Sequence, residues 1–375
     1  MFHRIDESIK ISSLRKELFE VYLNLSLTNV AMSLVGIFIP IYLLQLGYAL
    51  ADVLLYFLVM FGAMLILSLP SSYLISRIGF KHSITLSTPL LILQLVLLNL
   101  LEVWDINIYL IAVISGIRNI IYWLALNSDF ASNTHKKRRG RETSYLFGFD
   151  KAAGIFGPII GAVVITYFSF GVLFTISILI LIGSIFPLFL TDDKRDPLSY
   201  SWRQVFSRRN WSFAVRFMAE GGFDVAGMLY WSLFVFLVLR DFMDIGWVGT
   251  LGALGSLILM LLIGRATDRF NRKNIMRTGA ILYAILWSVR SITNDPLTAM
   301  LFSFLGGVFY NTINIPFFTI VNDKALDEDV MEFMTFREVF LCLGRIISLS
   351  LVLLLSQNLV FGFWIAGVAA LVFLL

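Results

Sequence analysis

The sequence predicts an all-α polytopic membrane protein, with twelve transmembrane helices in two pseudo-symmetric six-helix bundles. Three observations predict it. Of 375 residues, 58% are hydrophobic and 14% charged, with a mean hydropathy of +0.85. Soluble domains carry about 45–50% apolar and about 25% charged residues, so lipid is the main solvent here. Apolar runs recur along the whole chain, and at about 20 residues per span they fill it with about twelve helices and short connections. The longest polar connection, TDDKRDPLSYSWRQVFSRRNW at 191–211, divides six runs from six.

The elements follow in order. Residues 1–19 are a charged lead-in holding Arg4, Lys10, Arg15 and Lys16, which excludes a cleaved secretory signal. The spans are predicted at about 20–46, 51–75, 83–101, 107–131, 144–168, 170–190, 211–239, 246–264, 275–293, 297–321, 334–356 and 359–375. They are helices because open sheet edges cannot be satisfied in hydrocarbon and the alternation of a barrel strand is absent. Arg77 and Lys81 follow span two, HKKRRGR at 135–141 follows span four, and Lys194, Arg195, Arg203, Arg208 and Arg209 lie in the central linker. Arg265, Arg269, Arg272, Lys273 and Arg277 follow span eight, whereas Arg240 and Arg290 fall on the opposite side. The positive-inside rule therefore puts both termini and the linker in the cytoplasm, and the cytoplasmic (plasma) membrane is the expected location. The acidic loop DKALDEDVME after span ten runs against this pattern, but Asp and Glu weigh little in the rule. The expected organisation is a lead-in at 1–19, a first bundle at 20–190, a cytoplasmic linker at 191–210 and a second bundle at 211–375.

Several function classes are excluded. The single cysteine, Cys342, and three scattered histidines build neither a disulfide framework nor a metal cluster. The net charge of +4 sits in short loops facing an anionic leaflet, so no nucleic-acid partner is expected. There is no phosphate-cradling Gly-x-x-x-x-Gly-Lys loop. Acidic pairs that could hold Mg²⁺ for a membrane transferase occur at Asn322–Asp329 and Asp241–Asp244, on opposite sides of the membrane. They cannot share an ion, so the chain is not expected to be an enzyme or to need a cofactor.

Self-comparison shows a duplication. SRIGFK (Ser76–Lys81) matches DRFNRK (Asp268–Lys273), and FDKAAGIFG (Phe149–Gly157) matches FREVFLCLG (Phe336–Gly344), at nearly constant offset and at equivalent helix ends. With GRATDRFNRK (Gly264–Lys273) after span eight, the sequence resembles the major facilitator superfamily of secondary transporters, whose Gly-x-x-x-Asp-Arg-x-x-Arg-Lys signature it carries at Asp268, Arg269, Arg272 and Lys273. In the first half Arg77, Gly79 and Lys81 remain, with Ser76 in place of the aspartate and Ser72 in place of the leading glycine. AAGIFGPIIGA (Ala152–Ala162) is similar to the Gly-Pro-rich motif of the family's antiporters, and equally to plain close packing of small residues.

The resemblance implies packing of helix two near helix eleven and helix five near helix eight. A cytoplasmic gate is then expected from Asp268 with Lys151, beside Asp150, and from Glu338 with Arg77, beside Arg337. Ionisable residues inside spans mark function. Arg118 and Arg345 lie deep in helices four and eleven, and Arg216, Glu220 and Asp224 fall on one face of helix seven at four-residue steps. The family's cavity is lined by helices one, four, seven and ten, which adds Asn29, Tyr122, Asn311 and Asn314 as candidates. Glu220 and Asp224 are the expected proton-coupling groups, with Arg118 as counter-ion or anchor for a substrate anion. The expected function is secondary active transport of a small organic solute by alternating access in a monomer, proton-coupled, with efflux by antiport as one mode. A non-transporting receptor or assembly factor of the same fold is the alternative.

Overall fold

The computed structural model describes residues 23–133, 152, 154–186, 200–269 and 271–375, with the backbone alone described at 133, 261 and 264–269. The lead-in at 1–19 and residues 191–199 of the linker lie outside the described residues. Twelve principal helices are formed by the residues that are described. They are α1 (Leu23–Gln45), α2 (Leu50–Ile78), α3 (Phe80–Leu100), α4 (Ile108–Asn133), α5 (Gly157–Tyr167), α6 (Phe170–Ile185), α7 (211–239), α8 (Phe242–Arg269), α9 (Arg272–Val289), α10 (Pro296–Leu326), α11 (Val330–Leu354) and α12 (Leu359–Leu371).

Seven of these are long and apolar enough to cross a membrane by length and composition alone. Of the other five, α5, α6 and α12 are shorter apolar helices within the described residues, α9 begins in charged residues, and α11 buries Glu332, Arg337 and Glu338. The connections are tight and capped by polar side chains. Asp241, Asn271, Asp295 and Asn358 each accept a backbone N–H of the first turn of α8, α9, α10 and α12. Gly79, at φ 85°, alone joins α2 to α3, a left-handed conformation that favours glycine. Pro40 lacks the N–H an α-helical turn would use, and α1 tightens to a 3₁₀ turn at Gly36–Phe38 just before it. In α7, Trp211–Val225 and Trp231–Leu239 are separated by a π-helical turn, Ala226–Tyr230.

The long helices outrun their apolar cores at the end carrying the basic loops. Helix α10 has 31 residues, about 46 Å at 1.5 Å per residue, against a hydrocarbon core of about 30 Å. Its overhang explains the acidic loop. Asp323 binds Arg272 at 2.6 Å, and Glu328 binds both Arg209 at 2.7 Å and Lys324 at 2.6 Å. Partial burial pulls the Glu328 carboxyl up, but its bonds to Lys324 and Arg209 outweigh that and hold it below the ordinary glutamate value.

Packing repeats between the halves. Helix α4 packs on α2 and α3, and α3 on α6; correspondingly α10 packs on α8 and α9, and α9 on α12. The halves meet through α2 with α11 and α5 with α8, as the family resemblance implies, and through α4 with α10 and α11. Glycines set two of the closest approaches at equivalent positions. A Cβ on Gly157 would stand 1.9 Å from Ser33 Oγ on α1, and one on Gly344 would stand 2.0 Å from the Met218 carbonyl on α7. The small residues of α5 therefore serve close packing here.

Candidate functional site

A cavity of about 590 Å³ lies between the halves, lined by residues of α1, α2, α4, α7, α8, α9, α10 and α11. At the basic-loop end the halves join through Ser72 to Thr335 at 2.6 Å and through Phe130 stacked on Phe318 at 5.9 Å. At the opposite end Phe170 meets Phe242 at 5.6 Å, and Gly246 lies against Pro158 and Ala162.

The cavity's polar wall is a network of charges. Arg345 on α11 donates to Asp224 on α7 at 3.0 Å, and the Tyr310 hydroxyl donates to the other oxygen of Asp224 at 3.2 Å. Asn314 donates in turn to Tyr310. One turn away, Arg337 donates to both Glu220 and Glu338, at 2.7 Å each, and Asn127 on α4 reaches Glu338 at 3.3 Å across the boundary between the halves. Arg345 also stacks on Phe61 of α2 at 5.1 Å. Three carboxylates thus share two guanidiniums, and the second oxygen of Glu220 is buried with no partner. Such clusters are costly in hydrocarbon unless they face protein or a water-filled cavity, and this one faces the cavity.

The family model for the Major Facilitator Superfamily matches residues 21–240 and 213–375. The chain belongs to the major facilitator superfamily. Membership, with the apolar helices, makes it an integral membrane protein. An MFS transporter solved in the outward conformation, FucP, superposes with a TM-score of 0.70 at 14% identity, over 95% of this chain and 96% of that one. An uncharacterised protein of Bacillus subtilis (strain 168), YqgE, is 24% identical over 270 residues, 66% of this chain; the chain spans 61% of the length of that relative.

Within this facilitator fold the predicted site residues divide. Asp224, Glu220, Asn29, Asn311, Asn314 and Arg345 line the cavity. Arg118 and Tyr122 are buried but do not line it. The cavity face of α4 carries Asn119, Trp123 and Asn127 instead, one residue further round the helix. Arg118 donates to Asn119 at 2.9 Å and stacks on Tyr122 at 4.3 Å, so it braces the wall from behind. The predicted pairing of Glu338 with Arg77 is not formed. Glu338 sits eight residues into α11, about 12 Å along it, where Arg337 and Asn127 hold it, whereas Arg77 ends α2, exposed beside Tyr73. Arg337 and Glu338 are therefore cavity residues rather than rim residues. Gly79 shapes the α2–α3 turn with Lys81 just beyond it, Arg272 ties to Asp323, and Lys273 is exposed. Asp150 and Lys151 lie outside the described residues, and of Asp268 and Arg269 the backbone alone is described.

Sequence reasoning missed Asn127, Tyr310 and Arg290 as cavity residues. Arg290, counted only as a charge on the side opposite the basic loops, is 3% exposed. Its signal was present: it falls three residues after Trp287, on the same helical face.

Proposed function

We propose that the chain is a proton-coupled secondary transporter of a small organic solute, working by alternating access, with Glu220 and Asp224 as the coupling carboxylates. One observation supports this most: three carboxylates share two guanidiniums on the wall of a solute-sized cavity. The unmatched acid is a place for a proton. A proton on Glu220 leaves Arg337 to Glu338 alone, and a proton on Asp224 releases Arg345, so either changes how α11 holds the links from Glu338 to Asn127. Those links, with Ser72 to Thr335, tie the halves at the basic-loop end. Proton occupancy thereby changes the balance between closing that end and closing the other. A solute group that bonds Asp224 competes with the proton for the same oxygens, which makes exchange, or antiport, the mode this geometry favours. The basic loops put that end in the cytoplasm.

The test uses full-length protein in liposomes loaded with a pH-sensitive dye, with solutes chosen by a thermal-shift screen at two pH values. Wild-type protein should move protons on solute addition and Asp224→Asn should not, while both remain folded. Proton movement retained in Asp224→Asn refutes the assignment. Binding without any flux would favour a non-transporting receptor.

A further inference from the structure

At the cavity end away from the carboxylate cluster, Arg290 sits just past the end of α9 and lines the cavity. Its guanidinium carbon lies 4.1 Å from the ring centre of Trp287 and 4.4 Å from that of Trp231, between the two indoles. Nη2 donates to the Phe302 carbonyl at 2.9 Å, and the Trp231 indole is fixed by donating to Ser303 Oγ at 2.6 Å. Gly306 makes room: a Cβ there would stand 2.1 Å from Nη2. The Nε–H is buried without a partner, and among the described residues no carboxylate pairs with this arginine. The two indoles and the Phe302 carbonyl hold the guanidinium in place but leave its charge and its Nε–H unanswered. A planar, fully charged fork held in this way fits an oxyanion.

The geometry points to Arg290 as the anion-binding subsite of the cavity, taking the carboxylate or phosphoryl group of an organic solute between the Trp231 and Trp287 walls. Trp231 lies seven residues beyond Asp224, about 10 Å along α7, so the cavity is bipolar. A solute of that length presents its anionic group to Arg290 and a hydrogen-bond donor to Asp224. This inference rests on reading the cavity as a solute site, and it is tested by binding rather than flux, so the two can fail separately.

Purified full-length protein in detergent is titrated at constant ionic strength with benzoate, phenylphosphonate and the neutral isostere benzamide, following tryptophan emission and the melting temperature. A saturable response to benzoate or phenylphosphonate, absent with benzamide, is expected, and the stronger of the two identifies the oxyanion. Arg290→Gln should weaken that binding by about tenfold or more, whereas Arg240→Gln, an exposed arginine near the same end, should not. If Arg290→Gln does not fold, Gly306→Ala keeps the charge but pushes Nη2 aside, and should weaken binding too. Three results each overturn the proposal: no saturable response to either anion, an equal response to benzamide, or undiminished binding in a folded Arg290→Gln or Gly306→Ala variant. Anion binding without transport leaves this site standing and removes the transport reading; transport with unchanged anion preference in Arg290→Gln does the reverse.

Discussion

Replacing Gly246 by alanine should open the cavity at the end away from the basic loops. A Cβ at Gly246 would lie 2.6 Å from the Ala162 Cβ and 3.0 Å from both the Ile159 Cα and the Pro158 carbonyl oxygen. Carbon pairs prefer about 3.5–4.0 Å, and the atoms it meets are backbone or next to it, so α5 and α8 must part by about 1 Å. Overpacking of this kind costs about 1–3 kcal/mol. The cost falls only on states in which α5 and α8 touch at that level, so the open population should rise by about 5- to 150-fold. The assay is labelling of Ser256→Cys, a nearly isosteric change at a cavity-lining position, by a membrane-impermeant maleimide in vesicles of each orientation. The native Cys342 is fully buried and supplies little background. Labelling should accelerate in Gly246→Ala from the side opposite the basic loops and not from the other. An unchanged rate in a folded variant, or acceleration from the basic-loop side, would refute the reasoning.

Further outcomes follow from the same geometry. Gly344→Ala would place a Cβ 2.0 Å from the Met218 carbonyl, so α7 and α11 must separate; the melting temperature in detergent should fall, and the Arg345–Asp224 bond should be lost. Arg337→Gln leaves Glu220 and Glu338 without their shared partner and should cost about 3–5 kcal/mol, with much of that recovered in the double variant Arg337→Gln, Glu220→Gln; a thermal-melt double-mutant cycle checks it. Because the Glu328 carboxyl titrates below its ordinary value, its ion pairs with Arg209 and Lys324 stabilise above the unfolded value of about 4.3 and fade as pH falls through the folded one. Glu328→Gln should therefore flatten the acid side of the melting curve, by at most about 1 kcal/mol for a pair this close to water.

The helices were legible because lipid imposes a strong, local rule: each span must be apolar and must satisfy its own backbone; their pairing across the halves came from the family resemblance. Helix ends were less legible, since α8 and α10 continue past the hydrocarbon on polar residues that hydropathy discounts. The candidate site was half legible. Asp224 and Glu220 announced themselves as charges with no escape from the span, and the four-residue stripe on α7 set their common face. Partners were not legible, because Arg337 and Arg345 come from a helix more than a hundred residues away and meet α7 only where Gly221 and Gly344 let the backbones approach. Arg118 misled for a related reason. Depth in a span says a charge is paired or shielded, but a one-residue rotation decides between the cavity and the bundle interior, and Asn119 holds the cavity position.

The π-helical turn ties these parts together. An ordinary α-helix turns by about 100° per residue, whereas Ala226–Tyr230 adds a residue to one turn of α7 and shifts the register of everything after it. Before the turn, Glu220 and Asp224 face the arginines of α11; after it, Trp231 faces Ser303 on α10 and Arg290 beyond α9. One helix therefore carries an acidic pole and one wall of a basic pole on the same cavity, with its least regular turn between them. Such turns are rare and are frequently found at functional sites. On the proposed reading, motion at Ala226–Tyr230 alters the distance between the two poles, so a solute spanning both biases α7 towards one shape, while a proton on Asp224 biases it by releasing Arg345. The two ligands then act on one element, which is the physical condition for coupling them.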